Sequence, residues 1–220
     1  MQEIKSHIII LDGKKESGRK TLSFELALVL MYNNQKTALL LDNDSPMRQT
    51  LAKRPKDLPT PAIINRENFF NIANNYDAII IPESSTNDNL ALLASTYITL
   101  QQKNKKSAQE FPKNLNYINS IWELKKKIAS AHNRSLNWVV CENNLKEKVT
   151  EEPSFEIAKI SRMYGFRSCP PLNKRQAYQN NITGISAQDK TSPNYNKQLT
   201  FEDICAKREI IKLAEFIFNQ

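Results

Sequence analysis

Cysteine and histidine are scarce in this sequence of 220 residues, which has three cysteines and two histidines. The cysteines, Cys141, Cys169 and Cys205, are odd in number and far apart, which argues against a disulfide framework. With only two histidines in the chain, His7 and His132, the composition also argues against a zinc cluster. We therefore expect a fold that depends on a hydrophobic core and not on cross-links or a structural metal.

Long hydrophobic runs are also missing. No stretch approaches the roughly 20 consecutive apolar residues that a membrane-spanning helix needs. The first residues, MQEIKSH, do not show the charged, apolar and small-residue succession of a signal peptide. The composition, 25% charged and 40% hydrophobic, is typical of a soluble globular protein. We therefore expect a cytoplasmic protein without a membrane span.

Glycine is the third scarce residue, with four copies, whereas Asn, Lys and Ile are abundant. An AT-rich genome produces this composition through codon usage, and such drift by itself makes a chain basic. The net charge of +8 and the pI near 9.3 also suit a protein that binds polyanions such as DNA. Both origins of the basic charge remain open at this stage.

The first half of the chain has the pattern of a βαβ unit. The run HIIIL, residues 7–11, predicts a strand that is buried on both faces of a parallel sheet. An apolar helical pattern begins at Thr21 and ends near YNNQ, and TALLLD, Thr37 to Asp42, predicts a second strand. A strand, a helix and a strand in this order form a right-handed crossover, so the two strands should be parallel.

The remaining chain continues the alternation of strands and helices. Further strands are predicted at Ala78 to Ile81, at Tyr97 to Leu100 and at Leu136 to Cys141. Further helices are predicted in NYINSIWELKKKIASA, in SFEIAKISRMYGF, where Gly165 ends the helix, and from Phe201 to about Phe218, where Thr200 is the N-cap. Residues 188–198 should form a surface connection. The prediction is one domain, residues 1–220, with a doubly wound, mainly parallel α/β sheet that binds ligands at the carboxyl ends of its strands.

The segment GKKESGRKT, residues 13–21, lies between the first strand and the first helix, where a phosphate-binding loop would lie. In such a loop, glycines let backbone N–H groups point inward, a lysine reaches the phosphates and a Ser or Thr hydroxyl binds Mg²⁺. Gly13 and Gly18 have the spacing of this motif, and Arg19, Lys20 and Thr21 follow.

Two alignments of this loop with the motif are open. Without a gap, Arg19 takes the place of the lysine, and Lys20 takes the place of the Mg²⁺ ligand, where an ammonium group cannot coordinate a cation. With one inserted residue, Lys20 and Thr21 regain both roles, but the loop is longer.

The interior of the loop also departs from the motif, because Lys15 and Glu16 replace its glycines. Glu16 brings a negative charge to the phosphates, which weakens binding unless Lys14 or Lys15 neutralises it. A basic turn without any ligand is therefore an alternative of equal weight.

Carboxylates follow the second strand in D-x-D spacing. Because side chains alternate along a strand, Asp42 and Asp44 should point to the same side at its carboxyl end. The next buried strand, in YDAIIIPES, ends where a nucleotide hydrolase places an Asp that coordinates Mg²⁺. Pro82 occupies that position, and Glu83 follows one residue later.

The chain resembles the deviant Walker A ATPases of the ParA/MinD superfamily in three successive segments: IIILDGKKESGRKT, ALLLDND and YDAIIIPES. Within this superfamily, two later segments are similar to the MipZ family of division-plane positioning ATPases. They are SIWELKKKIASAHNRSLNWVVCENNL and YGFRSCPPLNKRQAYQNNITG. The resemblance extends, with gaps, from residue 7 to about residue 187.

The resemblance implies an ATP- and Mg²⁺-dependent dimer in the cytoplasm or on the nucleoid. It further implies non-specific DNA binding, a partition partner of the ParB type and a division partner of the FtsZ type. Lys14 would be the signature lysine that reaches the partner's phosphates, Asp44 would orient the attacking water, and Asp42 would support the metal. The implied nucleotide-binding residues are Gly13, Lys15, Gly18, Arg19, Lys20 and Thr21.

Three departures fall in the catalytic site that the resemblance implies: Arg19, Lys20 and Pro82. Because catalysis in this class depends on positioning and on charge neutralisation by lysine and metal, we expect impaired or absent ATP hydrolysis, and nucleotide binding itself could be lost. Two alternatives stay open, an interaction protein that needs no nucleotide and an ATP-dependent small-molecule enzyme. The candidates for contact with DNA or a partner protein are Arg162, Arg167, Arg175 and Tyr178.

Overall fold

The structure is a computed structural model that describes residues 4–14, 16–82, 88–102, 114–144, 152–179, 183–192, 195 and 198–219. The described strands belong to a mainly parallel, eight-stranded sheet flanked by helices, which confirms the predicted fold class. Contacts divide the chain into two compact units, each assembled from separate stretches of sequence. In the described part of the chain, no helix is long and apolar enough to span a membrane.

Unit 1 comprises Met1–His7, Lys20–Pro82 and Arg175–Gln220. Its strands are ordered β3–β2–β4, and both pairs are parallel, with Ala38 opposite Ala62 on one side and Ile79 on the other. Its elements are α1 (Arg19–Tyr32, from its second residue), β2 (Thr37–Leu40), α2 (Pro46–Ala52), β3 (Ala62–Ile64), α3 (Phe69–Ile72), β4 (Ala78–Ile81), α7 (Gln176–Gln179) and α8 (Phe201–Phe218).

Unit 2 comprises Ile8–Arg19 and Glu83–Lys174. Its strands are ordered β1–β5–β6, and the short strands β7 and β8 both pair with β6. All of these pairs are parallel, so the strands end at one common edge of the unit. Its elements are β1 (His7–Gly13, from its second residue), α4 (Asp88–Ala91), β5 (Thr96–Gln102), α5 (Leu115–His132), β6 (Asn137–Asn144), α6 (Phe155–Tyr164), β7 (Arg167–Ser168) and β8 (Leu172–Asn173).

Local sequence signals account for the ends of several helices. Thr200 caps α8 in a capping box, in which the Thr200 hydroxyl accepts from the Asp203 N–H and the Asp203 carboxylate accepts from the Thr200 N–H. Helix α6 ends at Gly165, which adopts a left-handed conformation with φ 64°. The predicted strand Ala78 to Ile81 and the helix from Phe201 to Phe218 are confirmed at their predicted bounds.

Two predictions were wrong in detail. Strand β2 ends at Leu40, and the Ser45 N–H donates to the Asp42 carbonyl in a turn, so strand alternation does not set the directions of Asp42 and Asp44. The segment predicted as a surface connection contains Gln188 and Asp189, which are buried in unit 1. The Gln188 N–H donates to the Ser186 hydroxyl, and the Asp189 carboxylate accepts from the Ser186 N–H. Strands β3 and β8 were not predicted, since each has too few residues to show periodicity.

Candidate functional site

Two glycines shape the loop between β1 and α1, which lies in unit 2. A Cβ on Gly13 would lie 2.6 Å from the Leu100 carbonyl and 2.7 Å from the Ser17 hydroxyl. Gly18 has φ +93°, and a Cβ there would lie 2.6 Å from the Asn143 side-chain nitrogen. The contact with the Leu100 backbone requires glycine at position 13, and the positive φ favours glycine at position 18, as in a phosphate-binding loop.

The loop is held by hydrogen bonds at the ends of β5 and β6. The Ser17 N–H donates to the Lys14 carbonyl at 3.0 Å, which closes a turn around Glu16 with φ 67°. Gln102 Nε2 donates to the Glu16 carbonyl at 2.9 Å, and Asn143 Nδ2 donates to the Ser17 carbonyl at 2.8 Å. The loop is therefore fixed by strand-end amides and uses one of its N–H groups internally. Lys15 lies outside the described residues.

Two polar atoms of this loop are buried and have no hydrogen-bond partner among the residues that the structure describes. They are Ser17 Oγ, in a residue that is 1% exposed, and Arg19 Nη1. The carboxylate oxygen Oδ1 of Asp12 lies 3.9 Å from Arg19 Nη1, which is too far for a hydrogen bond. Buried polar groups in proteins nearly always have partners. The loop therefore has the donors for an oxygen-rich ligand such as a phosphate group.

Asp12, the residue before the loop, is the centre of a hydrogen-bond cluster that the sequence analysis missed. The hydroxyls of Tyr97 and Tyr117 donate to its Oδ2 at 2.8 and 2.9 Å, and the Gly13 N–H donates to its Oδ1 at 2.7 Å. The Tyr117 hydroxyl also lies 3.0 Å from that of Thr99. Asp12 stands out in IIILDG as a charge at a strand end, but no local signal connects it with tyrosines far along the chain.

Burial, together with the negative charge of Asp12, raises the pKa of Tyr97 well above its ordinary value. The same two causes, burial first, raise the pKa of Tyr117. Both hydroxyls therefore stay protonated near neutral pH and act as donors to the carboxylate. The cluster holds the Asp12 side chain as an acceptor beside the loop.

A cavity of about 370 Å³ lies on the β5 side of the loop. Aromatic, amide and charged residues line it together: Asp12, Gly13, Lys14, Thr99, Leu100, Gln101, Asn114 and Tyr117. Asn114 is also the N-cap of α5, where its side chain accepts from the Tyr117 N–H. The cavity lies at the carboxyl ends of parallel strands, which is the usual ligand edge of an open α/β sheet.

The other predicted nucleotide and metal residues belong to unit 1. Lys20 and Asp44 are exposed, and Thr21 is partly buried. The Asp42 carboxylate accepts a 2.7 Å hydrogen bond from Arg66 Nε, so its charge is balanced by a guanidinium group. Within the described ranges, no group of three or more His, Cys, Asp or Glu side chains is arranged to hold a metal ion.

The predicted DNA- or partner-binding residues occupy different surroundings. Arg162 is exposed on α6, and Arg167 is partly buried. Arg175 is 8% exposed and binds Glu209 at 2.7 Å, and the Tyr178 hydroxyl lies 3.0 Å from the same carboxylate. The pair Arg175 and Tyr178 thus connects α7 to α8 inside unit 1. The functional roles of all four residues stay predictions.

Comparison with known proteins places the chain in a family. The family model described as ATPase MipZ matches residues 73–217, which is more than half of the chain. The matched stretch includes Asn143 and the α5 and α6 helices and begins after the loop of residues 13–21. A search of curated proteins found no matching sequence.

Solved structures share the fold over nearly the whole chain. McdA of Cyanothece in complex with ATP has a TM-score of 0.59 at 10% identity and covers 99% of this chain and 98% of its own. MinD of Aquifex aeolicus, a cell division protein, has a TM-score of 0.56 at 14% identity and covers 98% of both chains. A Borrelia burgdorferi plasmid partition protein bound to AMPPNP has a TM-score of 0.55 at 14% identity, with 95% and 98% covered.

Proposed function

The chain belongs to the ATPase MipZ family, and we propose that it regulates division-site placement or chromosome partition with ATP hydrolysis impaired or lost. The similar solved structures include a cell division protein, a plasmid partition protein and an ATP complex, which supports this direction. In this proposal the chain keeps a phosphate-binding loop but not the metal-dependent reaction.

The observation that carries nucleotide binding is the pair of unpartnered buried groups in the loop, Ser17 Oγ and Arg19 Nη1. Both are donors, and phosphate oxygens are acceptors, so a triphosphate would supply the missing partners. Arg19 binds phosphate well because its guanidinium group presents several N–H donors in one plane. Lys14, which lines the adjacent cavity, would add a second positive charge.

Mg²⁺ does not fit the residues present. In the alignment without a gap, on which this proposal rests, Lys20 occupies the position of the metal-binding hydroxyl, and a cation there repels another cation. Pro82 occupies the position of the second metal ligand and has no side-chain donor atom. Asp42 is already bound to Arg66. The metal-assisted positioning of phosphates, on which hydrolysis in this class depends, is therefore not available from these side chains.

The test measures binding and turnover separately. Isothermal titration with ATP, with and without Mg²⁺, should show binding that Mg²⁺ does not strengthen and that Arg19→Ala weakens at least about tenfold. Phosphate release should stay at the level of a protein-free control. Micromolar ATP binding that survives Arg19→Ala would show that the loop is not the site, and turnover at the rate of an active family member would refute the loss of hydrolysis.

A triple variant sharpens the test of the metal argument. Arg19→Lys, Lys20→Ser and Pro82→Asp together restore the residue types of the motif. If these three departures caused the loss, the triple variant should gain Mg²⁺-dependent ATP binding. A folded triple variant without any Mg²⁺ effect would place the cause elsewhere, for example in Glu16.

The partners follow from the family and are part of the same proposal. We infer a homodimer, non-specific contact with DNA through basic side chains including Arg162 and Arg167, and protein partners of the ParB and FtsZ types. DNA contact and nucleoid association are supported by the net charge of +8.

A second candidate is an interaction protein with the same fold that works without nucleotide. Exposed apolar side chains favour it: Phe155 is 78% exposed and Met163 is 70% exposed on α6, and Trp122 is 40% exposed on α5. Exposed aromatic and Met side chains are common at protein interfaces. This candidate predicts no ATP binding in the titration, whereas the leading proposal predicts Mg²⁺-independent binding.

A further inference from the structure

The carboxylate of Asp12 lies beside the guanidinium group of Arg19, which binds phosphate in the proposed function. Asp12 Oδ1 is 3.9 Å from Arg19 Nη1, and both side chains are largely shielded from water, at 13% and 19% exposure. At this separation the two charges attract each other without a hydrogen bond. A phosphate group that approached Arg19 would thus meet a fixed negative charge of the protein itself.

Asp12 cannot easily move away from this position. Its Oδ2 accepts from the hydroxyls of Tyr97 and Tyr117, and its Oδ1 accepts from the Gly13 N–H. The three donors come from β5, from α5 and from the loop, so they hold the carboxylate from three directions. Tyr97 is 6% exposed, which leaves its hydroxyl little alternative to this bond.

We propose that Asp12 sets the affinity of the loop for phosphate groups, because its carboxylate competes with them for Arg19. This inference rests on the proposed function, in which the loop binds a triphosphate. Asp12 is a specificity-determining residue in this arrangement, since it favours ligands of low negative charge over those of high negative charge. The cavity beside the loop is lined by Asp12 as well, so an anion in that space meets the same charge.

The isosteric substitution Asp12→Asn removes the charge with little change in shape. The amide oxygen can still accept from the two tyrosines, while the amide nitrogen that replaces Oδ1 no longer accepts from the Gly13 N–H and can donate to a ligand. Binding of a multiply charged anion should therefore strengthen by about tenfold, because an interaction between partly buried charges is only weakly screened. The gain should be larger for a triphosphate than for a singly charged anion.

The experiment is titration of inorganic triphosphate and of ATP, both without Mg²⁺, into the full chain and its variants. Asp12→Asn should bind about tenfold more tightly than the unmodified protein, and the difference should change little between about 0.05 and 0.5 M salt, because partly buried charges are weakly screened. In an Arg19→Ala background, Asp12→Asn should gain less than about twofold, since the competition acts through Arg19. Asp57→Asn, which changes the same charge at an exposed position of unit 1, should have no effect.

A second variant covers the case in which Asp12→Asn does not fold. Tyr117→Phe removes one donor and leaves the carboxylate charge less dispersed, so triphosphate binding should weaken by about two- to fivefold. Equal or weaker binding by folded Asp12→Asn, the same tenfold gain in the Arg19→Ala background, or absence of triphosphate binding by every variant would overturn the inference. The proposed loss of hydrolysis is decided separately, by phosphate release from the unmodified protein with Mg²⁺.

Discussion

Asn143 Nδ2 donates a 2.8 Å hydrogen bond to the Ser17 carbonyl and so joins the end of β6 to a loop that lies 126 residues earlier in the chain. The same nitrogen lies 2.6 Å from the position that a Cβ on Gly18 would take, and Gly18 has φ +93°, which favours glycine there. The phosphate-binding candidate is therefore shaped by a side chain from outside the loop.

Asn143→Ala should lower the free energy of unfolding by about 1 kcal/mol, because it removes one partly buried hydrogen bond. Amide exchange in residues 16–19 should become faster, since the loop loses one of its attachments. Asn119→Ala, an exposed asparagine on α5, is the matched control and should not lower stability. Unchanged exchange in the loop would show that Asn143 does not restrain it.

Glu16 adopts φ 67° in the turn closed by the Ser17 N–H, a conformation that costs a side chain about 1 kcal/mol relative to glycine. Glu16→Gly should therefore raise the free energy of unfolding by up to about 1 kcal/mol, measured by urea denaturation. Glu16→Ala keeps the Cβ and should show no such gain. Equal stability changes in the two variants would contradict the role of strain.

Arg54 and Asp189 form a fully buried ion pair in unit 1, with 2.6 Å between the closest atoms. Arg54 also donates to the Gly184 carbonyl at 2.7 Å. Arg54→Ala should cost about 3–5 kcal/mol of unfolding free energy, because it leaves a buried carboxylate without its partner. Lys53→Ala, at the exposed neighbouring position, is the control and should change the free energy of unfolding by less than about 0.5 kcal/mol.

The same pair can be tested for coupling. If the cost arises from the unpaired charge, Arg54→Met combined with Asp189→Leu should destabilise by less than the sum of the single changes. Additive effects would show that the two side chains act independently.

Asp203 makes the free energy of unfolding depend on pH in the acid range. Burial opposes its ionisation, but hydrogen bonds from Lys190 and Thr200 outweigh burial and lower its pKa. Because the folded pKa lies below the unfolded one, ionised Asp203 stabilises the fold above about pH 4, and this contribution is lost as the pH falls through the folded pKa. The unfolding free energy of the unmodified protein should approach that of Asp203→Asn below about pH 3. A constant difference between pH 7 and pH 2.5 would contradict this assignment.

Arg162 and Arg175 should respond differently to substitution. Arg162 is exposed on α6, so Arg162→Ala should leave stability unchanged and, if it contacts DNA, reduce the slope of log affinity against log salt by about 1. Arg175 is buried against Glu209, so Arg175→Ala should lower the thermal midpoint. DNA binding that does not depend on salt would show that Arg162 and other basic side chains do not form the DNA-binding site.

Much of the fold was predictable because its signals are local. The apolar runs at Ile8 to Leu11 and at Ala78 to Ile81, which are rich in β-branched residues, are typical of strands buried on both faces, and all of these side chains are buried. The Thr200 cap and Gly165 fixed helix ends for reasons of backbone geometry. The phosphate-loop candidate was visible through the spacing of Gly13 and Gly18.

The partners of the loop were not predictable, because they come from distant segments. Nothing near Asp12 in the sequence indicates Tyr97 or Tyr117, and the pairing of Asn143 with Ser17 depends on the order of β1, β5 and β6. The single domain predicted for residues 1–220 stays a prediction, and the structure divides the same residues into two compact units.

The sequence by itself determined the alternation of strands and helices and the position of the loop. It also predicts, in the alignment without a gap, that Lys20 and Pro82 replace metal-ligand residue types, which stays a prediction. These follow from side-chain chemistry and from periodicity, which act over a few residues. Only the tertiary structure decided that Asp12 is held beside Arg19 and that Ser17 Oγ and Arg19 Nη1 lack partners. Whether a polar group is satisfied depends on which strands become neighbours when the sheet forms, and that is a property of the whole chain.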